Sequence, residues 1–381
     1  MLYNILQEVT KQDNIIFIIS NESWGDVWYS KQHYANELSK NNHVFFVNPP
    51  ARWKFFNLFS FASDIKKISA SLSIINYQNN FPVLPILKTW TRYLNDVCNS
   101  HKLKRAIKDE VTNKPVIFWQ FDPFRFIHIF FLKNKKRIYH VVDPYLKIET
   151  DKNIALKSDL IILTSSKYIE HYKVLNKNII HIPHGISGDE LTTNREIVDE
   201  LRGVFGNFIL LIGTINDRVN LHLLKKIATS FPQNNLIIIG PRFFQKSDNA
   251  LTFESLIKCK NVKYLGIIHA KKLNNYTAAS RVCILSYYTE ENEFCLGTPL
   301  KVSSYIAQKK MIVSSTFFYD LLELNKKIIY LTSQTDEFLN YLKSALENNL
   351  YYDSELAKEY IEKTSYEKLI STIFISINNL K

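Results

Sequence analysis

The stretches Phe208-Ile-Leu-Leu-Ile-Gly-Thr-Ile215 and Leu236-Ile-Ile-Ile-Gly-Pro241 decide the fold of this chain. Each is a short aliphatic run that ends in a glycine, and a segment with helical character, residues 220–230, lies between them. Runs that are apolar on both faces are typical of buried parallel strands. A strand, a helix and a second strand in this order predict a βαβ unit.

The same alternation continues in both directions along the chain. Strands are predicted over residues 15–19, 44–47, 116–119, 137–142, 160–163, 179–182, 208–212, 236–239, 262–265, 282–285 and 311–313. Helices are predicted over residues 29–40, 103–111, 166–174, 220–230, 270–279 and 298–308, with a helix-rich tail from 336 to 381. The pattern restarts after the loop 185–194. We therefore predict an α/β fold of two Rossmann-like, doubly wound parallel-sheet domains that face a central cleft. Their expected ranges are 1–190 and 191–381, with the last helix crossing back to the first domain.

The composition is that of a folded chain with a large core. Of 381 residues, 46% are hydrophobic and 22% are charged, which excludes a disordered chain or a disulfide-stapled miniprotein. The four cysteines form no C-x-x-C pair, so neither a zinc site nor a disulfide framework is expected. The first apolar run, 15–19, is too short for a signal peptide, and no run is long enough to span a membrane. We expect a reducing, cytoplasmic setting.

The net charge of +12 is concentrated in one region. Residues 50–140 contain 16 Lys and Arg against 5 Asp and Glu. Such a field attracts anions, which include nucleic acid, an anionic membrane leaflet and phosphorylated substrates. Composition alone does not choose among them.

The strand-ending glycines Gly213 and Gly240 are candidates for close approach by a ligand, although a simple turn would also explain them. Neither belongs to a G-x-G-x-x-G or P-loop motif, and the chain has only nine glycines. Ordinary nicotinamide dehydrogenases and P-loop kinases are therefore not expected.

The segment from Glu290 to Ser315 is the most informative for chemistry. An acidic loop leads to Pro299, which suits the first turn of a helix, and Lys301 lies in that turn. A cation there opposes the helix dipole, so a diphosphate ligand is one explanation for it. A solvated surface lysine is the other.

Several pieces of the chain match a known family in order and spacing. They are Ser23-Trp-Gly-Asp-Val-Trp-Tyr-Ser-Lys-Gln-His33, Tyr139-His-Val-Val-Asp143, Ser158-Asp-Leu-Ile-Ile-Leu-Thr-Ser-Ser166, His181-Ile-Pro-His-Gly185, Gly213-Thr-Ile-Asn-Asp-Arg218, Asn261-Val-Lys-Tyr-Leu-Gly266 and Thr298-Pro-Leu-Lys-Val-Ser-Ser-Tyr305. Together they resemble the GT-B glycosyltransferases that build bacterial surface polysaccharides. The likeness is greatest to the teichuronic-acid (TuaH-like) group of family 4 and to the GumK-like glucuronosyltransferases of family 70.

This resemblance implies that the C-terminal domain holds a nucleotide-sugar and the N-terminal domain an acceptor. Lys301 matches the family lysine at the diphosphate, Arg218 matches a basic position of the TuaH-like group, and the base would lie near Gly266. Two fixed cations would neutralise the charge of the departing nucleoside diphosphate, so no metal ion is expected. The residues implied for nucleotide-sugar binding are His184, Gly213, Arg218, Gly240, Gly266, Glu293, Thr298, Pro299, Lys301 and Ser304.

The chain departs from family 4 at Ser304. Most members carry there the second glutamate of an E-x7-E pair that grips the nucleotide ribose, and Leu296 stands at the position of the first. GumK-like proteins also lack the second glutamate, so the departure favours that group and weakens a retaining assignment. Glu293, slightly upstream, is a candidate for contact with the donor sugar or for a solvated loop.

Asp143 is the candidate general base. It follows a predicted strand, and its position corresponds to the catalytic aspartate of GumK-like enzymes. An inverting transfer needs one group to take the proton of the acceptor hydroxyl. A cap on the turn before Pro144 is the structural alternative, and His184 and His140 are rival bases.

A basic and aromatic stretch begins at Arg52 and continues through residues 88–108. Aromatic and cationic residues together suit a membrane interface with anionic lipid. A core helix with a solvated basic face is an alternative, and no nucleic-acid-binding signature accompanies the stretch. The residues predicted to meet the membrane or the acceptor are Arg52, Trp53, Lys54, Phe55, Phe56, Trp90 and Arg92.

We therefore predict a metal-independent glycosyltransferase, peripheral on the inner face of the cell membrane. It would move a hexosyl or glucuronosyl group from a UDP-sugar to a lipid-linked or polysaccharide acceptor in capsule, exopolysaccharide or cell-wall glycan synthesis. Its expected partners are the nucleotide-sugar, that acceptor and the anionic membrane surface, and no nucleic acid. The alternatives are a retaining family 4-type transferase, a sugar-nucleotide 2-epimerase, and a catalytically degenerate GT-B scaffold.

Overall fold

The computed structural model describes residues 13–59, 62–107, 114–132, 135–288 and 299–380. The chain divides into two compact units. Unit 1 comprises Met1–Thr164, Tyr168–Ile182 and Glu367–Lys381, and unit 2 comprises Ser165–Lys167 and Pro183–Tyr366.

Unit 1 is built on an eight-stranded sheet. Its order is β3-β4-β2-β1-β5-β6-β7-β8, and every neighbouring pair is parallel except β3 with β4. The strands are β1 (Ile15–Ile19), β2 (His43–Val47), β3 (Asp64–Lys67), β4 (Leu72–Asn76), β5 (Val116–Gln120), β6 (Lys135–Val141), β7 (Leu160–Leu163) and β8 (Ile179–His181). The central strands β1 and β5 are buried at every residue, as their unbroken apolar runs require.

The helices of unit 1 follow the strands along the chain. They are α1 (Ser30–Leu38), α2 (Lys88–Ala106), α3 (Glu149–Leu156) and α4 (Ile169–Lys173), and a 3₁₀ helix spans Phe55–Phe59. The last helix of the chain, α13 (Tyr366–Asn378), lies almost wholly in the segment assigned to this unit.

Unit 2 is built on a six-stranded, all-parallel sheet of order β11-β10-β9-β12-β13-β14. Its strands are β9 (Ile209–Ile212), β10 (Leu236–Ile239), β11 (Val262–Tyr264), β12 (Val282–Leu285), β13 (Ile312–Ser314) and β14 (Ile329–Leu331). Its helices are α5 (Gly188–Leu191), α6 (Arg195–Phe205), α7 (Leu221–Ser230), α8 (Ser247–Leu256), α9 (Ala270–Ala279), α10 (Leu300–Ala307), α11 (Thr335–Leu346) and α12 (Ser354–Lys363).

Alternate residues of the unit 2 strands enter two separate cores. Leu210 and Ile212 of β9 pack in one core, whereas Ile209 and Leu211 pack in the other. Because successive side chains of a strand point to opposite faces, helices cover both faces of this sheet. This is the doubly wound arrangement that the sequence predicts.

All eleven predicted strands are present, each within two residues of its predicted bounds. Strand β3, whose four residues are exposed, carries no apolar signal, and the sequence predicts neither β4 nor β14. The helix predicted over 103–111 was wrong in its bounds, since α2 begins at Lys88 and ends at Ala106. The buried face of α2 is largely polar and includes Asn95, Asn99 and Ser100. The sequence of this helix therefore lacks the regular spacing of apolar residues that would indicate its bounds. In the described parts of the chain, no helix is long and apolar enough to cross a membrane.

Candidate functional site

Glycines follow three neighbouring strands of unit 2: Gly213 comes directly after β9, Gly240 directly after β10, and Gly266 two residues after β11. The N–H of Gly213 donates to the carbonyl of Ile239 at 2.9 Å, and the N–H of Gly240 donates to the carbonyl of Gly266 at 2.8 Å. Gly213 and Gly240 have φ of +133° and +141°, and a Cβ on Gly240 would lie 2.7 Å from the carbonyl carbon of Gly213. Only glycine fits there, so the carboxyl edge of the sheet presents bare backbone at this point.

We call the carboxyl edge of the sheet at Gly213 and Gly240 the glycine edge. Lys301 lies against it, next to Gly213. It is in the first turn of α10, after Pro299 at the N-cap position. A Cβ on Gly213 would lie 2.9 Å from Cε of Lys301, and the ammonium lies 5.1 Å from the ring centroid of Tyr287. Among the residues with described positions, no carboxylate forms an ion pair with Lys301. The site therefore contains a half-buried cation beside a helix N-terminus and a glycine edge, an arrangement suited to an anionic ligand.

The loop that follows Gly213 is fixed by Asp217. Its carboxylate accepts hydrogen bonds from the backbone N–H of Gln245 at 2.8 Å and from Nδ2 of Asn249 at 2.8 Å. These hydrogen bonds, that of Asn249 first, lower the pKa of Asp217. Arg218 follows with an exposed side chain, and its carbonyl accepts from the N–H of Tyr288 at 3.1 Å.

The segment that contains Arg218 pairs with the segment that contacts Lys301. Val219, next to Arg218, forms an antiparallel bridge with Tyr287, the residue whose ring Lys301 covers. The structure thus brings Gly213, Arg218 and Lys301, three residues selected from sequence, to one edge of the sheet.

Ser304 contacts a carboxylate that the sequence analysis missed. Its Oγ donates a 2.5 Å hydrogen bond to Oε1 of Glu190, which belongs to the short helix α5. The other oxygen of Glu190 accepts from the N–H of Ser187 at 2.9 Å. The spacing Ser187-x-x-Glu190 is a capping-box signature visible in the sequence, and the box is formed. Ser304 follows Lys301 by three residues, so the two side chains are neighbours on the helix surface.

His184 contacts the same helix through Ser303. It is buried, and its backbone carbonyl accepts a 3.3 Å hydrogen bond from Oγ of Ser303. The next residue, Gly185, packs against Tyr366, because a Cβ there would lie 2.7 Å from the tyrosine ring. Glu293 and Thr298, both selected from sequence, lie outside the described residues.

Asp143 lies in unit 1, two residues beyond the carboxyl end of β6, with its side chain exposed. Within the part of the chain that is described, its carboxylate makes no hydrogen bond, so a cap on the turn before Pro144 has no support. The negative charge of Asp143 interacts electrostatically with Lys31 of α1. Burial lowers the pKa of Lys31 to about 8, and the charges of Asp143 and Asp122 oppose that shift.

His140 has a structural environment. It is fully buried, its Nδ1 accepts a 3.2 Å hydrogen bond from Nε1 of Trp119, and its ring stacks on Phe121 at 4.6 Å. These contacts make it a buried core residue.

The basic and aromatic stretch forms an exposed surface on unit 1, which we call the basic-aromatic surface and define as residues 52–56 and 83–94. Phe55, Phe56 and Trp90 are 69%, 86% and 70% exposed, so these three aromatic side chains are not part of the core. Of the remaining predicted residues, Arg52 and Lys54 are exposed and Trp53 and Arg92 are half-buried.

The two parts of this surface are tied together through Asn80. Nε1 of Trp53 donates to the carbonyl of Asn80 at 3.0 Å, and Nζ of Lys102 on α2 donates to Oδ1 of Asn80 at 2.8 Å. Nδ2 of Asn80 also donates to the carbonyl of Leu58 in the 3₁₀ helix at 3.2 Å, so Asn80 bonds both to this helix and to α2.

No protein-family model and no curated protein sequence matches the chain. The chain is, however, similar in fold to several solved structures. Anabaena HepE in complex with UDP and glucose has a TM-score of 0.65 at 14% identity, over 97% of this chain and 100% of that one. Sucrose-phosphate synthase from Thermosynechococcus elongatus has a TM-score of 0.62 at 16% identity, over 96% and 98%. The lipopolysaccharide outer core galactosyltransferase WaaB has a TM-score of 0.55 at 13% identity, over 96% and 98%.

These likenesses and the two parallel-sheet units confirm the predicted fold class, which is GT-B. In the described ranges, no group of three or more His, Cys, Asp or Glu could hold a metal ion.

Proposed function

We propose that this chain is a glycosyltransferase that moves a sugar from a UDP-sugar to a carbohydrate acceptor. The observation that carries the proposal is the position of Lys301, a cation without a carboxylate partner in the described structure, against Gly213. A diphosphate would supply the missing negative charge. The HepE structure, which shares the fold, is a complex with UDP and glucose, and this supports UDP as the nucleotide.

In this proposal unit 2 holds the donor. The ammonium of Lys301 and the N-terminus of α10 bind the diphosphate, and the bare backbone at Gly213 and Gly240 admits it closely. The guanidinium of Arg218 is the second cation. The nucleotide base lies toward Gly266, as the family resemblance implies.

Glu190 is the proposed partner of the ribose. A vicinal diol donates two hydrogen bonds well to a fixed carboxylate, and charge-assisted hydrogen bonds are the stronger kind. Ser304 holds this carboxylate one helical turn from the lysine. In a nucleoside diphosphate the ribose adjoins the diphosphate. Glu190 and Lys301 are likewise neighbours, so one can contact the ribose while the other contacts the diphosphate. A carboxylate from α5 would thus take the place of the glutamate that family 4 carries at position 304.

The proposed transfer inverts the sugar. Asp143 takes the proton of the acceptor hydroxyl, the acceptor oxygen forms a bond to C1 of the sugar, and the bond from C1 to the diphosphate oxygen breaks. UDP leaves with the electron pair, and Lys301 and Arg218 neutralise the charge that develops on it. Because these two cations carry the neutralisation, we propose that no metal ion is needed, and turnover unchanged by EDTA would support this.

The acceptor is proposed to be lipid-linked or polymeric and to be met at the inner face of the cell membrane. The basic-aromatic surface supports this, because exposed aromatics enter the headgroup region and nearby Lys and Arg attract anionic lipid. WaaB, which shares the fold, is a lipopolysaccharide galactosyltransferase. A role in capsule, exopolysaccharide or cell-wall glycan synthesis follows from such an acceptor.

Calorimetric titration of the full chain with UDP, GDP and dTDP tests the proposal. We expect UDP to bind more tightly than the other two. Failure to bind any of the three would contradict it and would favour the alternative of a degenerate GT-B scaffold.

A further inference from the structure

A loop with two tryptophans follows the first strand of unit 1. We call residues 21–29 the tryptophan loop. It leaves the carboxyl end of β1 and is held firmly, since the N–H of Trp24 donates to Oδ1 of Asn48 at 2.9 Å. The amide of Gln32 donates to the carbonyl of Ser23 at 3.3 Å and accepts from the N–H of Tyr29 at 3.0 Å. The loop is therefore preorganised on rigid elements.

The two indole rings form an aromatic surface. Their centroids are 5.5 Å apart, and the ring of Trp24 packs edge-on against Phe46 at 5.0 Å. Both tryptophans are only half-buried, although β1 beside them is completely buried. Large aromatic side chains that keep one part packed and another part in solvent are typical of binding surfaces.

A fixed carboxylate lies beside these rings. Nζ of Lys31 pairs with the carboxylate of Glu22 and donates to Oδ1 of Asn21 at 2.6 Å. Nδ2 of Asn21 donates to Oε1 of Glu22 at 3.2 Å. The side chain of Lys31 is 6% exposed, whereas that of Glu22 is 34% exposed. The buried lysine thus positions a carboxylate that retains access to solvent.

The charges near the loop have an acidic balance. Among the described residues, the carboxylates are Glu22 and Asp26 in the loop, Asp122 after β5 and Asp143 after β6, and the cations that pair with two of them are Lys31 and Arg125. Arg125 pairs with Asp122, whose Oδ2 accepts from its Nε at 2.7 Å, and Lys31 pairs with Glu22, so these four carboxylates outnumber the two cations. An anionic ligand would therefore be repelled, and an uncharged one would not.

We propose that the tryptophan loop binds the terminal sugar of the acceptor, an uncharged pyranose. The apolar C–H face of the sugar lies on the indole rings, and hydroxyl groups donate to Glu22 and bond to Asn21. The inference rests on the proposed function, since it takes the ligand to be the acceptor. Strand β6 is two strands from β1 in the sheet, so Asp143 lies about 10 Å along the same edge. The bound sugar would present its hydroxyls on the edge that carries the proposed base.

Hydroxyl-radical footprinting of the full chain, read by mass spectrometry, tests this proposal. The probes are the methyl glycosides of glucose, galactose and mannose, together with methyl glucuronoside. We expect at least one neutral glycoside to protect both Trp24 and Trp28 while Trp90 stays unprotected. The glucuronoside should protect neither. Protection of neither residue by any neutral glycoside, or equal protection by the glucuronoside, would overturn the proposal.

Two further measurements separate the causes of a failure. UDP binding is measured on the same sample, because loss of glycoside protection with intact UDP binding contradicts only this inference. Loss of UDP binding contradicts the proposed function. A Glu22→Gln variant with an unchanged melting temperature should bind the protecting glycoside about tenfold more weakly, as expected for loss of a hydrogen bond to a charged group. Wild-type protection in that variant would remove Glu22 from the subsite.

Discussion

The ammonium of Lys301 lies 5.1 Å from the ring centroid of Tyr287, in the first turn of α10. A cation at a helix N-terminus is opposed by the helix dipole by about 0.3–1 kcal/mol. The tyrosine ring offsets part of that cost. The proposed diphosphate would offset the remainder.

The glycine edge can be tested through Gly240→Ala. The new Cβ would meet the backbone of Gly213 at a φ of +141°, so we expect a loss of about 1–3 kcal/mol in the free energy of unfolding. UDP binding should weaken as well, because the diphosphate would meet a displaced turn. Gly203→Ala on α6 is the matched control, since its Cβ has open space and alanine favours a helix. Denaturant unfolding measures the stability of both variants. Equal stability of Gly240→Ala and Gly203→Ala would contradict the close approach of residue 240 to the backbone of Gly213.

The ribose assignment predicts a selective effect of Glu190→Gln. Glutamine keeps an acceptor for the capping box of α5, so the fold should be retained while the negative charge is lost. We expect UDP to bind about 10-fold more weakly or worse.

Deoxy analogues make this test specific. Wild-type protein should bind 2′-deoxy-UDP or 3′-deoxy-UDP less well than UDP, and the variant should no longer distinguish them. Unchanged UDP affinity in Glu190→Gln would show that this carboxylate only caps its helix.

Asp143→Asn should separate transfer from binding. Removal of a general base is expected to lower kcat by at least about 100-fold. UDP affinity should stay at the wild-type value, because the proposed donor-binding residues lie in unit 2. Glu149→Gln, another exposed carboxylate of unit 1, is the control. Near-normal turnover in Asp143→Asn would remove it from the base role, and a product with retained configuration at C1 would contradict inversion.

The basic-aromatic surface predicts salt-sensitive membrane binding. Co-sedimentation with anionic phospholipid vesicles should be strong at low salt and weaker at high salt, because each nearby Lys or Arg contributes about 1 kcal/mol. Replacement of Phe56 and Trp90 by serine should lower the bound fraction. Leu251→Ser, on an exposed helix face of unit 2, should not. An unchanged bound fraction for the double variant would count against insertion of these aromatics.

The sheets could be predicted from sequence because their strands carry an unbroken apolar signal. Strand β9 is buried at all four residues, and its predicted bounds are nearly those observed. Strand β3, Asp-Ile-Lys-Lys, is exposed at all four and carries no such signal. It is defined by antiparallel pairing with β4, which depends on the rest of unit 1.

The site could be predicted only in part. Gly213 and Lys301 carry local signals, a strand-ending glycine and a cation in a first helical turn. Their contact depends on the tertiary structure and is not visible in either segment. The capping box of Glu190 is visible in the sequence, but its second partner, Ser304, is far along the chain.

The central claim, that unit 2 binds a nucleoside diphosphate through Lys301, is tested most directly by calorimetric titration of Lys301→Met with UDP. Lys358→Met, an exposed lysine of α12, is the control. We expect the loss of this one charge-assisted contact to weaken UDP binding by about 10- to 100-fold, with wild-type affinity in the control. Wild-type affinity for UDP in a folded Lys301→Met protein would contradict the account.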